Sequence, residues 1–239
     1  MLSTLPAYIP ITFGLTTLAT LLLFYRGLKR ARTDTVRRKA MPILLGLIGW
    51  LLLQALLPLN GIYAQAGTPG PPRLVLFSII PTLLAIVFLF ATAGGKRFID
   101  SLPLKDLTYL NVVRIPVELV LFWLFIHKAV PELMTFEGRN FDIFSGLSAP
   151  FVAYFGFTKA RLNRPLLFVW NIICLGLLLI IVRYALLSAP TPVQQFAFDQ
   201  PNIAIAYFPF SWLPTFIVPV VLFGHLVSIR QLFVKPTAT

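Results

Sequence analysis

The chain has 239 residues, 58% of them hydrophobic and only 12% charged, and its formal net charge is +12. Soluble globular domains are nearer half apolar and a quarter charged, so this composition excludes them and predicts an integral membrane protein. In a soluble protein such positive charge would suggest nucleic acid as a partner. Here the basic residues fall in short stretches between apolar segments. We therefore expect the lipid bilayer and its anionic headgroups at the inner face as partners, and no nucleic acid.

Seven apolar segments predict an all-α integral membrane fold, a single polytopic membrane domain over residues 1–239 with seven transmembrane helices. The predicted spans cover residues 7–25, 42–64, 74–93, 109–130, 143–158, 165–187 and 209–229. Pro42 favours the first turn of a helix, so we place the start of the second span there. No positive charge precedes the first segment, which indicates a retained span rather than a cleaved signal peptide.

The distribution of basic residues predicts the orientation. Fifteen of the twenty lysines and arginines fall in the first, third and fifth connections and in the C-terminal segment. The positive-inside rule then places the N-terminus outside and the C-terminus inside, in the cytoplasmic membrane. The short fifth span contains Gly146, Pro150 and Gly156, and fits either a tilted crossing or a re-entrant helix. We favour a crossing, because a re-entrant loop would put the following basic residues on the wrong side.

Ionisable residues in the fourth span, where hydrocarbon is expected, mark the best candidate site. At about 100° per residue, Asn111, Arg114 and Glu118 share one helical face. Asn171 in the sixth span and His225 in the seventh lie at a similar depth. These five residues are predicted to converge on a pocket for ligand binding or proton movement in the inner half of the bundle. The alternative is an ion pair between Arg114 and Glu118 that only holds the bundle together.

A second polar cluster is predicted on the outer side, where charged residues alternate with phenylalanines after the fourth span. The predicted outer vestibule consists of His127, Glu132, Glu137, Arg139, Asn140, Asp142 and Arg183. Such alternation is unusual for a free loop and typical of a segment folded against the protein. The alternative is a solvated loop.

The chemistry available to these residues is limited. The two histidines are predicted near opposite faces, on the order of 20 Å apart by the helical rise, so they do not form a shared metal site. The single cysteine, Cys174, lies in an apolar run and excludes an internal disulfide. The sequence identifies no cofactor and no catalytic residue.

We expect the protein to bind or transport a small solute or proton through this bundle. Glu118 would be the ionisable switch, Arg114 its partner or an anion contact, and the outer loop a vestibule or gate. Two alternatives remain open. The first is an intramembrane enzyme that acts on a lipid or lipid-linked substrate at the outer interface with His127, Glu137 and Asp142. The second is a non-catalytic receptor or assembly subunit.

Overall fold

A computed structural model of the chain describes residues 5–64 and 72–233, which are helical with no strand. The helices are α1 (Tyr8–Lys29), α2 (Asp34–Leu59), α3 (Ile80–Ala91), α4 (Ala93–Ser101), α5 (Leu104–Leu110), α6 (Arg114–Ile126), α7 (Ile143–Ala153), α8 (Arg164–Leu187) and α9 (Val218–Phe233). A 3₁₀ turn, Asn111–Val113, joins α5 to α6 as one continuous helix. Three π-helical turns adjoin these helices: Val75–Ile79 precedes α3, Leu213–Ile217 precedes α9, and Tyr154–Thr158 follows α7.

Five of these helices are long and apolar enough to cross a membrane: α1, α2, α5–α6, α8 and α9 with its π turn. The pair α3 and α4 adds a sixth if it counts as one span, although the two helices meet at an angle of 93°. Residues 143–158 form a shorter apolar helix. Leu52 on α2 and Leu84 and Phe88 on α3 are among many apolar side chains exposed on the surface. These features are those of a multi-pass membrane protein.

The helix that contains the second predicted span extends further toward the N-terminus than Pro42. The helix begins at Asp34, so Pro42 lies inside it rather than in its first turn. The additional turns form because Val36 and Ala40 are buried among Leu28 and Ile99 at the same end of the bundle. Burial of apolar side chains outweighs the helix-terminating tendency of one proline.

The helix that contains the fourth predicted span covers Leu104–Ile126, whereas the predicted bounds were residues 109–130. It ends in a Schellman motif, in which the N–H of Ala129 bonds to the carbonyl of Leu124 and that of Lys128 to the carbonyl of Phe125. Lys128 has the left-handed conformation that this motif requires, with φ of 59°. The motif turns the chain sharply, so the segment that follows folds back toward the bundle.

The connection between α3 and α5 contains the short helix α4, and side-chain hydrogen bonds attach this helix to α9. Asp100 of α4 accepts two hydrogen bonds from Arg230 of α9, at 2.9 and 3.0 Å. Gln231 donates to the backbone carbonyls of Ile99 and Leu102. The C-terminal part of α4 is therefore attached to the C-terminal part of α9.

Packing within the bundle places one short helix very close to its neighbour. A Cβ atom on Gly146 of α7 would lie 2.9 Å from Cγ1 and 3.1 Å from the backbone nitrogen of Ile115 in α6. Only a glycine allows such an approach of two helices. Helices α8 and α9 pack against each other, and α9 also contacts α5.

Candidate functional site

Arg114 is the centre of a buried polar network. Its side chain is 3% exposed and lies at the first residue of α6. Nη1 donates to Oδ1 of Asp142 at 2.8 Å and to the carbonyl oxygen of Cys174 in α8 at 3.4 Å. Nη2 lies 3.1 Å from Nε2 of His225 in α9. Within the described residues its Nε–H has no partner. One guanidinium thus connects α6, α8, α9 and the residue before α7.

The close approach at Gly146 explains why Arg114 and Asp142 meet. Asp142 precedes α7 by one residue and lies one helical turn before Gly146. Because Gly146 brings this turn against Ile115, the carboxylate is carried to the base of α6. Ser145 donates a long hydrogen bond of 3.5 Å to the same carboxylate oxygen. Asp142 is 4% exposed, so its charge is compensated inside the protein rather than by water.

The Arg114 contact also determines the tautomer of His225. A guanidinium has only N–H donors, so Nε2 of His225 must accept and carry no proton. The ring proton is then on Nδ1, which donates to Oδ1 of Asn171 at 2.9 Å. Asn171 in turn donates to the carbonyl of Leu167 at 2.9 Å. The imidazole is therefore neutral, and a second proton on it would break its contact with Arg114.

Glu118 joins the same network through Asn140. The amide of Asn140 donates to Oε2 of Glu118 at 2.6 Å and to the carbonyl of Met134 at 3.0 Å. Its side-chain oxygen accepts from the backbone N–H of Asp142 at 3.0 Å. Glu118 and Asn140 are 2% and 1% exposed. A continuous chain of hydrogen bonds consequently runs from Glu118 to Asn171.

Three of the five residues predicted for the inner pocket are consecutive members of this hydrogen-bonded network: Arg114, His225 and Asn171. Glu118 belongs to it, but the described residues contain no ion pair between Glu118 and Arg114, because Asp142 occupies the guanidinium. Asn111 lies apart. Among the residues that the structure describes, its amide donates only to the carbonyls of Leu107 and Thr108 in its own helix. The 3₁₀ turn that begins at Asn111 changes the rotation per residue, so the predicted shared face is interrupted there.

The residues predicted for the outer vestibule divide into two groups. Asn140 and Asp142 are buried in the Arg114 network. The remaining members of the predicted vestibule are exposed: His127, Glu132, Glu137, Arg139 and Arg183. The loop itself is ordered, since Gly138 approaches the backbone of Glu132 and Leu133 so closely that a Cβ atom would clash.

The sequence does not predict the groove that borders this network. A groove of about 360 Å³ lies between α7 and α8, and Ser145, Ser148, Trp170 and Cys174 line it among apolar side chains. Trp170 donates to Ser148 at 2.9 Å, and its ring centroid lies 5.9 Å from that of His225. Ser145 and Cys174 thus separate this groove from Asp142 and Arg114. Hydropathy alone places these residues in apolar spans and does not show which face they share.

A sequence model of the family described as a domain of unknown function, DUF8737, matches residues 71–233, and the chain belongs to that family. No curated protein and no solved structure matches the chain. The matched region contains every residue of the network from Glu118 to Asn171.

Proposed function

We propose that this member of the DUF8737 family binds and moves a small solute or proton across a cytoplasmic membrane, with the Arg114 network as its polar site. The observation that supports this proposal is the continuous buried chain from Glu118 through Asp142 and Arg114 to His225. Buried ionisable groups in spanning helices are costly, and they are usually retained where they serve a pathway.

The proposal includes a topology. Seven crossings follow if α3 and the helix of residues 143–158 each traverse the bilayer, and the positive-inside rule then places the N-terminus outside and the C-terminus inside. Single-cysteine variants in a Cys174→Ser background test this arrangement with a membrane-impermeant thiol reagent. Labelling of whole cells is expected at Glu137→Cys in the outer loop and only after lysis at Arg38→Cys. The reverse pattern would contradict the orientation.

The proposed chemistry depends on the fixed positive charge of Arg114. Its guanidinium remains charged in proteins and does not accept a proton, so it is a fixed positive centre rather than a relay group. The carboxylate of Asp142 is the group that changes. When Asp142 takes up a proton, Arg114 loses its counter-charge and becomes available to an anionic group of a solute. Loss of that proton restores the pair and releases the solute. Proton binding at Asp142 and anion binding at Arg114 are thus coupled, and the two are taken up and released together.

A flux measurement in proteoliposomes tests this function. An imposed pH gradient is followed with an entrapped pH-sensitive dye, with and without a panel of small carboxylates and inorganic anions. The wild-type protein is expected to increase flux, and Glu118→Gln and Asp142→Asn are expected to abolish the increase. Asp100→Asn is the matched control, because Asp100 pairs with Arg230 at the surface and has no contact with the network.

Two outcomes would count against the proposal. One is a wild-type protein that moves neither protons nor any solute of the panel. The other is unchanged flux in Glu118→Gln and Asp142→Asn. The alternative of an enzyme at the outer interface loses support from the geometry, because Asp142 is buried with Arg114 while His127 and Glu137 are exposed.

A further inference from the structure

A second feature, remote from the Arg114 network, is an apolar cleft of about 440 Å³ between α2, α3 and α9. One stripe of α2 lines it with Lys39, Ile43, Leu47 and Trp50. The spacing of these residues puts them on a single helical face. Except for Lys39 and two threonines, the lining consists of apolar side chains and glycines. Ile43, Leu47 and Trp50 are only half-buried, so the cleft opens sideways onto the surface that lipid covers.

The cleft is as long as one leaflet is thick. From Lys39 to Trp50 the rise along α2 is about 16 Å, which is close to half of the ~30 Å hydrocarbon core. At the Trp50 end the indole N–H donates to the carbonyl of Thr215 at 2.9 Å, which holds α2 and α9 together there. At the Lys39 end the N-terminal turn of α4 crosses the cleft with Gly94, Gly95 and Phe98.

The Lys39 end is positively charged. Lys39 is exposed and is the one charged side chain in the lining of the cleft. Lys96 and Arg97 follow Gly95 on α4, whose N-terminal turn borders this end of the cleft. A helix that meets a spanning helix at 93°, as α4 does, lies along the plane of the membrane at the level of the headgroups. The cleft therefore has a cationic entrance at the interface and an apolar interior below it.

We propose that this cleft holds one acyl chain of a phospholipid with a net negative headgroup, whose phosphate pairs with Lys39 while that chain lies along α2 toward Trp50. In the topology proposed above, the lipid belongs to the inner leaflet. Only that leaflet assignment depends on the proposed function; binding itself does not. The apolar stripe matches a single hydrocarbon chain, and the basic entrance matches an anionic rather than a zwitterionic headgroup.

Native mass spectrometry of the full chain tests the site. The protein is released from detergent after equilibration with equal amounts of phosphatidylglycerol and phosphatidylcholine. We expect one retained phosphatidylglycerol per chain. Lys39→Gln is expected to lower the retention of phosphatidylglycerol about fivefold, which corresponds to the contribution of one lysine to binding at a membrane surface. Arg38→Gln is the matched control, because it removes the same charge from the adjacent position without lining the cleft.

A second pair of variants tests the apolar part. Ala85 lines the cleft on α3, whereas Val87 is exposed on the same helix and does not line it. Ala85→Phe is expected to remove the retained lipid and Val87→Phe to keep it, with both proteins folded by circular dichroism. Equal retention of the two lipids, equal losses in Lys39→Gln and Arg38→Gln, retention of a free fatty acid instead, or a dimer that occupies the cleft would each overturn the proposal.

Discussion

Nη1 of Arg114 and Oδ1 of Asp142 lie 2.8 Å apart, with side chains only 3% and 5% exposed, so each charge depends on the other for its compensation. Twenty-eight residues separate them along the chain. Neither charge has access to water that could replace its partner. This mutual dependence leads to the first prediction.

Asp142→Asn should destabilise the protein by about 3–5 kcal/mol, because it leaves the buried guanidinium without its counter-charge. Replacement of both partners, Arg114→Met with Asp142→Leu, should recover most of that loss, since an apolar pair of similar volume needs no compensation. Thermal unfolding in detergent measures both effects. If the loss of stability in the double variant equals the sum of the losses in the two single variants, the two charges are not coupled. A folded double variant without flux would separate the transport role of the pair from its structural role.

His225→Phe should cost about 1–3 kcal/mol, because it leaves an N–H of Arg114 and the side-chain oxygen of Asn171 buried without partners. Phenylalanine keeps an aromatic ring that is somewhat larger than imidazole, so the change removes the hydrogen bonds without leaving a cavity. His127→Phe provides the comparison, as His127 is exposed and bonds only to a carbonyl of its own helix. Its effect on the unfolding temperature should be negligible. Similar effects of the two substitutions would contradict the assigned role of His225.

Gly146→Ala should destabilise the protein by about 1–3 kcal/mol, because a methyl group there overpacks the contact of α7 with Ile115 and Arg114. Gly176→Ala in α8 is the control, since no atom lies within 4 Å of its added Cβ. That substitution should be neutral or should stabilise the helix by up to about 1 kcal/mol. The difference between the two unfolding temperatures is the measurement. Equal behaviour would mean that α6 and α7 do not approach as closely as described.

Gly95→Ala should displace α4, because its Cβ atom would clash with the carbonyl oxygen of Leu89 at the bend after α3. Gly94→Ala is its neighbour and meets nothing within 4 Å. Limited proteolysis after Lys96 and Arg97 should therefore accelerate in the first variant and remain slow in the second. Equal cleavage in both would contradict the tight bend.

The helical spans follow from the sequence because an apolar run of about twenty residues has few alternatives in a membrane. Depth along the spans also places Arg114, Asn171 and His225 at one level, and in the structure they are in hydrogen-bond contact. Asp142 could not be placed in the same way. Its position in the sequence is outside the spans, and only the contact of Gly146 with α6, which joins residues distant along the chain, carries it inward.

The helix boundaries show a similar limit. Local signals set the predicted start at Pro42, whereas burial of Val36 and Ala40 against other segments sets the observed start at Asp34. The bend between α3 and α4 could not be predicted from the sequence either, since a pair of glycines indicates a break in a helix but not the angle of the break. Arg114, Asn171 and His225 could be placed from the periodicity of their own spans, whereas the 3₁₀ turn at Asn111 and the position of Asp142 could not.

The partners of Arg114 all come later in the chain: Asp142 by 28 residues, Cys174 by 60 and His225 by 111. During ribosomal synthesis, α6 therefore enters the translocon before the segments that carry its observed partners, Asp142, Cys174 and His225. An unpaired arginine at the middle of a spanning segment costs about 2.5–3.5 kcal/mol on insertion scales. We expect α6 to be integrated together with α7, because Asp142, just before α7, supplies the carboxylate that compensates the charge of Arg114. Nascent chains stopped before residue 142 should then integrate α6 poorly, and chains that extend through Thr158 should integrate it fully.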